Sequence, residues 1–302
     1  MGTKRLAVRG AVVGVAVLGL AACGGTVDAG SGSGAGDGEQ DGLVRDVAAD
    51  APLLQVHRAG GFMMPGYDFA AVPALTVYED GRVITQGPQI EIFPGPLLPN
   101  LLVGDLTDDE VDAIVAAARD AGLLAEAPDY GQPPVADVPT TYVTLTVDGE
   151  SYVHAANALD MFVDAGVDGG SDEMGQPQEI GLTPEQLEAR TVLNEFLAEV
   201  EGVVPMGDGE PYDITAFAVA GRAAEGGAPA DPELGPQVVP WPLEQVALAD
   251  LGCVVVDGDD AATLRDALAE ANQLTQFDQG GTTYEVWFRP LLPHESECPD
   301  GV

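Results

Sequence analysis

The sequence predicts an α+β fold, and three patterns carry this prediction. Two pairs of β-prone segments each reverse at an Asp-Gly dipeptide, which is a strong β-hairpin signal. Two other segments place apolar residues at helical spacing after a Leu-Thr pair. Residues 212–302 show a different order of strands and helix. We therefore expect β-hairpin and helix units followed by a smaller C-terminal part.

The first hairpin and helix are predicted before residue 123. The predicted strands are residues 52–58, 74–78 and 83–85. The prolines from Pro88 to Pro99 exclude a helix there. Thr107 and Glu110 form a capping box at the start of a helix that Gly122 ends.

A second hairpin and helix have the same pattern. The predicted strands are residues 141–147 and 151–155, and a second capping box joins Thr183 to Gln186. The repetition indicates a degenerate ββα duplication. Turn and capping chemistry would also produce this likeness without common descent, so both interpretations stay open.

The C-terminal part is predicted to have ββαβ order, with a short extended piece at residues 238–243 between its first two strands. Its elements are predicted at residues 212–220, 238–243, 253–256, 260–277 and 282–289. We accordingly divide the exported chain into α+β subdomains at residues 43–201 and 212–302, with a break near 202–211.

The first residues are typical of a signal peptide. Three cations precede an apolar run at residues 11–20, which is too short to span a bilayer. Leu20-Ala21-Ala22-Cys23 then resembles the lipobox of bacterial lipoproteins. The resemblance implies removal of residues 1–22 and lipidation of the Cys23 thiol. An ordinary secretory signal with a chance cysteine is the alternative.

Residues 23–42 are rich in Gly, Ser and Asp, which is typical of a flexible tether. With the lipobox, this segment predicts a chain anchored to the cell membrane on its extracytoplasmic side. We expect a monomer whose membrane contact is the Cys23 lipid anchor.

The charge balance excludes several partners and chemistries. The chain has 11 Lys and Arg against 50 Asp and Glu, and its net charge is −39. Nucleic acid needs clustered cations, so we expect no nucleic-acid partner. Lys4 is the only lysine, so lysine-dependent catalysis is excluded after cleavage. The acidity fits general solubility, adaptation to high salt, or a divalent cation site.

Asp164, Asp168 and Asp172 are weak candidate ligands for Ca²⁺ in a Gly-rich segment. Their spacing is not that of an EF-hand, and we favour an acidic linker without metal. No other cofactor is predicted.

Two cysteines remain once Cys23 carries the lipid. Cys253 and Cys298 form an even pair in an oxidising compartment, which favours a disulfide. A pair of free or metal-binding thiols is the alternative.

Candidate contact residues are aromatic and lie in Gly/Pro-rich segments: Phe62, Tyr67, Phe69, Phe93 and Tyr130. Such loops often contact partners. We favour the other interpretation, in which these side chains cover the ends of the sheet.

Residues 60–146 include GGFMMPGYDF, LTVYEDGRVI and LTDDEVDAIVAAARDAGLL. This stretch resembles uncharacterised lipoproteins of high-G+C Gram-positive bacteria. The resemblance implies location but no activity, and it assigns no functional residue beyond Cys23.

No catalytic motif is present: none of the five serines lies in G-x-S-x-G, and no H-E-x-x-H occurs. We therefore expect a non-catalytic binding or interaction module of the cell envelope, for a peptide, a glycan or an envelope protein. The alternative is an envelope hydrolase that uses carboxylates, with or without a metal.

Overall fold

The computed structural model describes residues 50–63, 66–161, 181–224, 237–249 and 251–299. In these ranges the chain forms a seven-stranded sheet, a five-stranded sheet and four α-helices. The predicted α+β class is thus confirmed. Contacts group Leu43–Val302 into one compact unit that contains both sheets.

The first sheet is antiparallel, with the order β6-β5-β1-β2-β3-β4-β7. Its strands are β1 (Pro52–Ala59), β2 (Leu75–Tyr78), β3 (Arg82–Gln86), β4 (Leu101–Asp105), β5 (Thr140–Val147), β6 (Glu150–Asn157) and β7 (Glu210–Pro211). Both predicted hairpins are present, one on each side of β1. At the second turn, Asp148 and Gly149 both have positive φ, as a type I′ turn requires.

Two long helices cover one face of this sheet. The helices of the chain are α1 (Tyr67–Ala70), α2 (Asp108–Asp120), α3 (Pro184–Val203) and α4 (Gly258–Leu268). Both predicted capping boxes form, at the starts of α2 and α3. Ile114 of α2 and Phe196 of α3 join the strand residues Leu54, Val143 and Leu145 in a single buried core.

The second sheet has the order β10-β8-β12-β11-β9, and only its β9–β11 pair is parallel. Its strands are β8 (Ala216–Ala223), β9 (Val238–Pro240), β10 (Cys253–Asp257), β11 (Gln276–Gln279) and β12 (Thr282–Pro290). Its core includes α4 and an aromatic cluster of Trp241, Phe277 and Phe288, whose ring centroids lie 5.5–6.2 Å apart.

Two predicted elements differ from the structure in their bounds, and one α-helix and three strands of the structure were not predicted. The strand predicted at 212–220 begins at Ala216, and the elements that were not predicted are α1, β4, β7 and β11. The helix predicted through residue 277 ends at Leu268. Asn272 explains this end, because its side chain accepts from Leu274 N and its backbone donates to Thr275. The chain then enters β11, which pairs with β12 across a glycine turn.

The residues after β12 run from the second sheet onto the first. Leu292 packs with Tyr78 and Ile84 on the face of the first sheet opposite α2 and α3. The predicted disulfide between Cys253 and Cys298 is present and ties this tail to β10. In the ranges above, no helix is both long and apolar enough for a membrane crossing.

We expect the double variant Cys253→Ser/Cys298→Ser to lose stability. The bridge closes a loop with a sequence separation of 45, for which the chain-entropy relation predicts a loss of about 4 kcal/mol. Urea unfolding of residues 43–302 measures the loss. Reductant should destabilise the wild type but leave the double variant unchanged, and equal unfolding midpoints for both proteins would contradict the prediction.

Candidate functional site

Several predicted site residues lie outside the described ranges. These are Cys23, Asp164, Asp168 and Asp172, so lipidation and calcium binding stay predictions. Within the described residues, no group of three or more His, Cys, Asp or Glu side chains is placed to hold a metal ion.

The aromatic candidates divide into two kinds. Phe62 and Phe93 are 83% and 62% exposed, as a contact role requires. Tyr130 is only 4% exposed and belongs to the first core, as a packing role requires. Tyr67 and Phe69 lie in the short helix α1, which packs against β12.

Phe93 belongs to a loop of six consecutive exposed residues, 88–93, which we call the apolar loop. Ile90 and Ile92 are 66% and 59% exposed. Sequence reasoning missed these two isoleucines because it searched for aromatic residues only. Large apolar side chains grouped on a monomer surface often mark an interaction site.

The first end of the apolar loop is held by the β3–β4 pair. Gly87 N donates to Asn100 O at 2.8 Å, and Asn100 Nδ2 donates to Pro88 O at 3.0 Å. The loop therefore leaves the first sheet in a defined direction.

The second end is held by residues that precede β11. Gln273 N donates to Gly95 O at 3.0 Å, and Gly95 N donates to Gln273 Oε1 at 3.1 Å. Leu97 N donates to Ala271 O at 3.1 Å. Pro88 and Pro94 restrict the backbone between the two ends. The fixed ends and the two prolines reduce the backbone entropy that the loop loses on binding.

A polar cluster lies where the tail covers the first sheet. Gln55 Nε2 donates to His294 Nε2 at 3.1 Å. His294 Nδ1 therefore carries the hydrogen of the neutral ring and donates to the Tyr78 hydroxyl at 2.9 Å. Arg289 donates to Ala71 O and forms an ion pair with Glu295.

Both histidines in this region are held neutral. Burial lowers the pKa of His57, and the Arg289 charge lowers it further. Burial also lowers the pKa of His294, although Glu295 opposes the shift. His57 Nδ1 is buried and has no hydrogen-bond partner among the described residues. These groups join the residues after β12 to the first sheet.

A second buried histidine cluster supports a small cleft. His154 Nε2 lies 2.8 Å from Leu123 O, which only accepts, so this nitrogen carries the hydrogen. His154 Nδ1 therefore accepts from the Tyr130 hydroxyl at 2.8 Å. Burial raises the pKa of Tyr130 to about 12, so the hydroxyl keeps its proton at neutral pH. Arg190 donates to the backbone carbonyl of Tyr130 at 3.0 Å, so both the backbone and the side chain of Tyr130 are held.

The cleft itself is open and has a volume of about 240 Å³. It lies between the end of α2 and the first turns of α3, and its lining includes Glu185 and Glu188. The alternative hydrolase would need a carboxyl with a raised pKa as its proton donor. Hydrogen bonds from its own backbone N–H and from Thr183 lower the pKa of Glu185 instead.

Comparisons with models of protein families, with curated proteins and with solved structures found no match. The apolar loop groups three exposed large apolar side chains, whereas the two histidine clusters hold elements of the fold together.

We expect the free energy of unfolding to fall as the pH is lowered from 7.0 to 5.5. Unfolded histidines take up protons near pH 6.5, whereas His57 and His294 have lowered pKa values in the folded state. Their stabilisation is therefore present above pH 6.5 and is lost as the pH falls, by at most about 1.4 kcal/mol per pH unit for each histidine. Urea unfolding at several pH values measures it.

The double variant His57→Gln/His294→Gln is the control for this prediction. Its free energy of unfolding should change less between pH 7.0 and 5.5 than that of the wild type. The same pH dependence in both proteins would show that other groups are responsible.

Proposed function

We propose that this chain is a lipid-anchored, extracytoplasmic protein of the cell membrane that acts as a non-catalytic binding module. The contact element is the apolar loop, and the partner is an envelope protein. The observation that carries the proposal is the exposure of Ile90, Ile92 and Phe93 on a backbone held at both ends.

The proposed location rests on the N-terminal sequence. A short apolar run ends in Leu20-Ala21-Ala22-Cys23, and the Gly/Ser/Asp-rich tether follows directly. The disulfide between Cys253 and Cys298 supports the same location, because such bridges persist outside the reducing cytosol.

The chemistry of the apolar loop supports a protein partner. Its three large apolar side chains gain free energy only when a partner removes them from water. Glu91 lies between the isoleucines, and the whole chain carries a net charge of −39. A complementary surface therefore has an apolar centre and a neutral or cationic rim.

The anchor is tested with the full chain in a bacterial host that processes lipoproteins. We expect the wild type in the membrane fraction and Cys23→Ser in the soluble extracytoplasmic fraction, because no acyl chain is attached. Immunoblots of the two fractions measure the distribution. Equal membrane association of both proteins would refute lipidation at Cys23.

The apolar loop is tested by photo-crosslinking in cells that naturally produce the protein. A photoreactive residue at position 92 should give a defined adduct with one envelope protein. The substitutions Ile90→Ser and Phe93→Ser should abolish this adduct, since the neighbouring apolar contacts are then lost. These exposed substitutions should change the free energy of unfolding by no more than about 0.5 kcal/mol each.

Val153 provides the matched control, because its side chain is also apolar and is 52% exposed, but it lies on β6. A photoreactive residue at position 153 should not give the adduct. Identical adducts from both positions would indicate nonspecific capture. Adducts only with lipid, or only with a second copy of the chain, would replace the proposed partner.

A further inference from the structure

The cleft between α2 and α3 combines apolar walls with negative charge. Leu123, Pro128, Ala189 and Val192 contribute apolar surface, and Glu185 and Glu188 contribute the carboxylates. The two glutamates are three positions apart on α3, so they project from the same side of the helix. At about 240 Å³, the cleft is below the roughly 300–1,000 Å³ of most small-molecule sites and suits a single side chain.

The cleft keeps the negative charge of its two carboxylates. The lowered pKa of Glu185 keeps this carboxyl ionised at neutral pH. Ala121 and Gly122, at the C-terminal end of α2, also line the cleft, and the partial negative charge of this helix end offsets the partial positive charge at the start of α3. Within the described part of the chain, no ion pair involves Glu185 or Glu188.

The cleft is built before any ligand arrives. His154 holds both Leu123 and Tyr130, through hydrogen bonds of 2.8 Å to each. Arg190 is the nearby cation, but it lies behind Tyr130 and donates to the carbonyls of Tyr130, Asn157 and Ala158. The guanidinium group of Arg190 binds these carbonyls, and Arg190 is not one of the residues that line the cleft.

We propose that this cleft binds a lysine side chain of a partner protein. The four-carbon stem of lysine fits the apolar walls, while its ammonium group reaches the two carboxylates and the end of α2. The chain has no lysine after Lys4, so it cannot supply this group itself once the signal peptide is removed. This site is separate from the apolar loop, and the proposal stands whether or not that loop binds a protein.

The test uses residues 43–302, the compact unit that contains both cores and the disulfide. The probe is Nα-acetyl-lysine methylamide, titrated while amide NMR signals are followed. We expect saturable shifts at Gly122, Leu123 and Val192. Nα-acetyl-norleucine methylamide, which lacks the ammonium group, and methylammonium, which lacks the alkyl stem, should each bind at least about tenfold more weakly.

Two double variants separate the site from the general acidity of the chain. Glu185→Gln/Glu188→Gln should weaken lysine binding about tenfold, since two exposed ion pairs are lost. Glu195→Gln/Glu199→Gln removes the same charge from exposed positions of α3 outside the cleft, and it should leave the affinity within about twofold.

Several results would overturn the proposal. Equal binding of the norleucine probe would show an apolar cleft without charge recognition. Equal weakening by the two double variants, equal binding of methylammonium, or shifts without saturation would show that the bulk acidity attracts any cation.

Discussion

The segment after β12 holds the two sheets of this protein together. Arg289, at the end of β12, donates to Ala71 O beside the first sheet, and His294 then bonds to Tyr78. The chain returns to the second sheet at Cys298, where the disulfide fastens it to β10. One short stretch therefore covers a face of the first sheet while remaining bound to the second.

The polar groups under this stretch explain why it contains a neutral histidine. Gln55 and Tyr78 lie under the tail, where they are partly shielded from water, and both bind His294 there. A neutral imidazole provides one donor and one acceptor, and burial lowers its pKa so that it stays neutral. The packing of the tail and its sensitivity to acid thus have the same physical origin.

The apolar loop also joins the two sheets, and its exposure follows from this arrangement. Asn100 fixes one end at the first sheet, while Gln273 fixes the other end beside the second. The backbone groups at both ends are satisfied, so residues 88–93 are held outward without packing on either core.

Three arginines form ion pairs within the fold. Arg58, Arg222 and Arg265 each pair with a carboxylate.

Local patterns predicted most elements, because hairpins and helix starts depend on residues close together in sequence. The Asp-Gly turns and the capping boxes of Thr107 and Thr183 follow from such patterns. The pairing of Cys253 with Cys298 was predicted differently, because these are the two cysteines that remain once Cys23 carries the lipid. The helix that ends at Leu268 was predicted too long, because the turn at Asn272 and the pairing of β11 with β12 outweigh its helical periodicity. The exposure of Ile90 and Ile92, the contact of His294 with Tyr78 and the cleft above His154 join residues far apart in sequence. No local pattern encodes which side chains remain exposed once distant segments have packed, so these surfaces appear only in the folded chain.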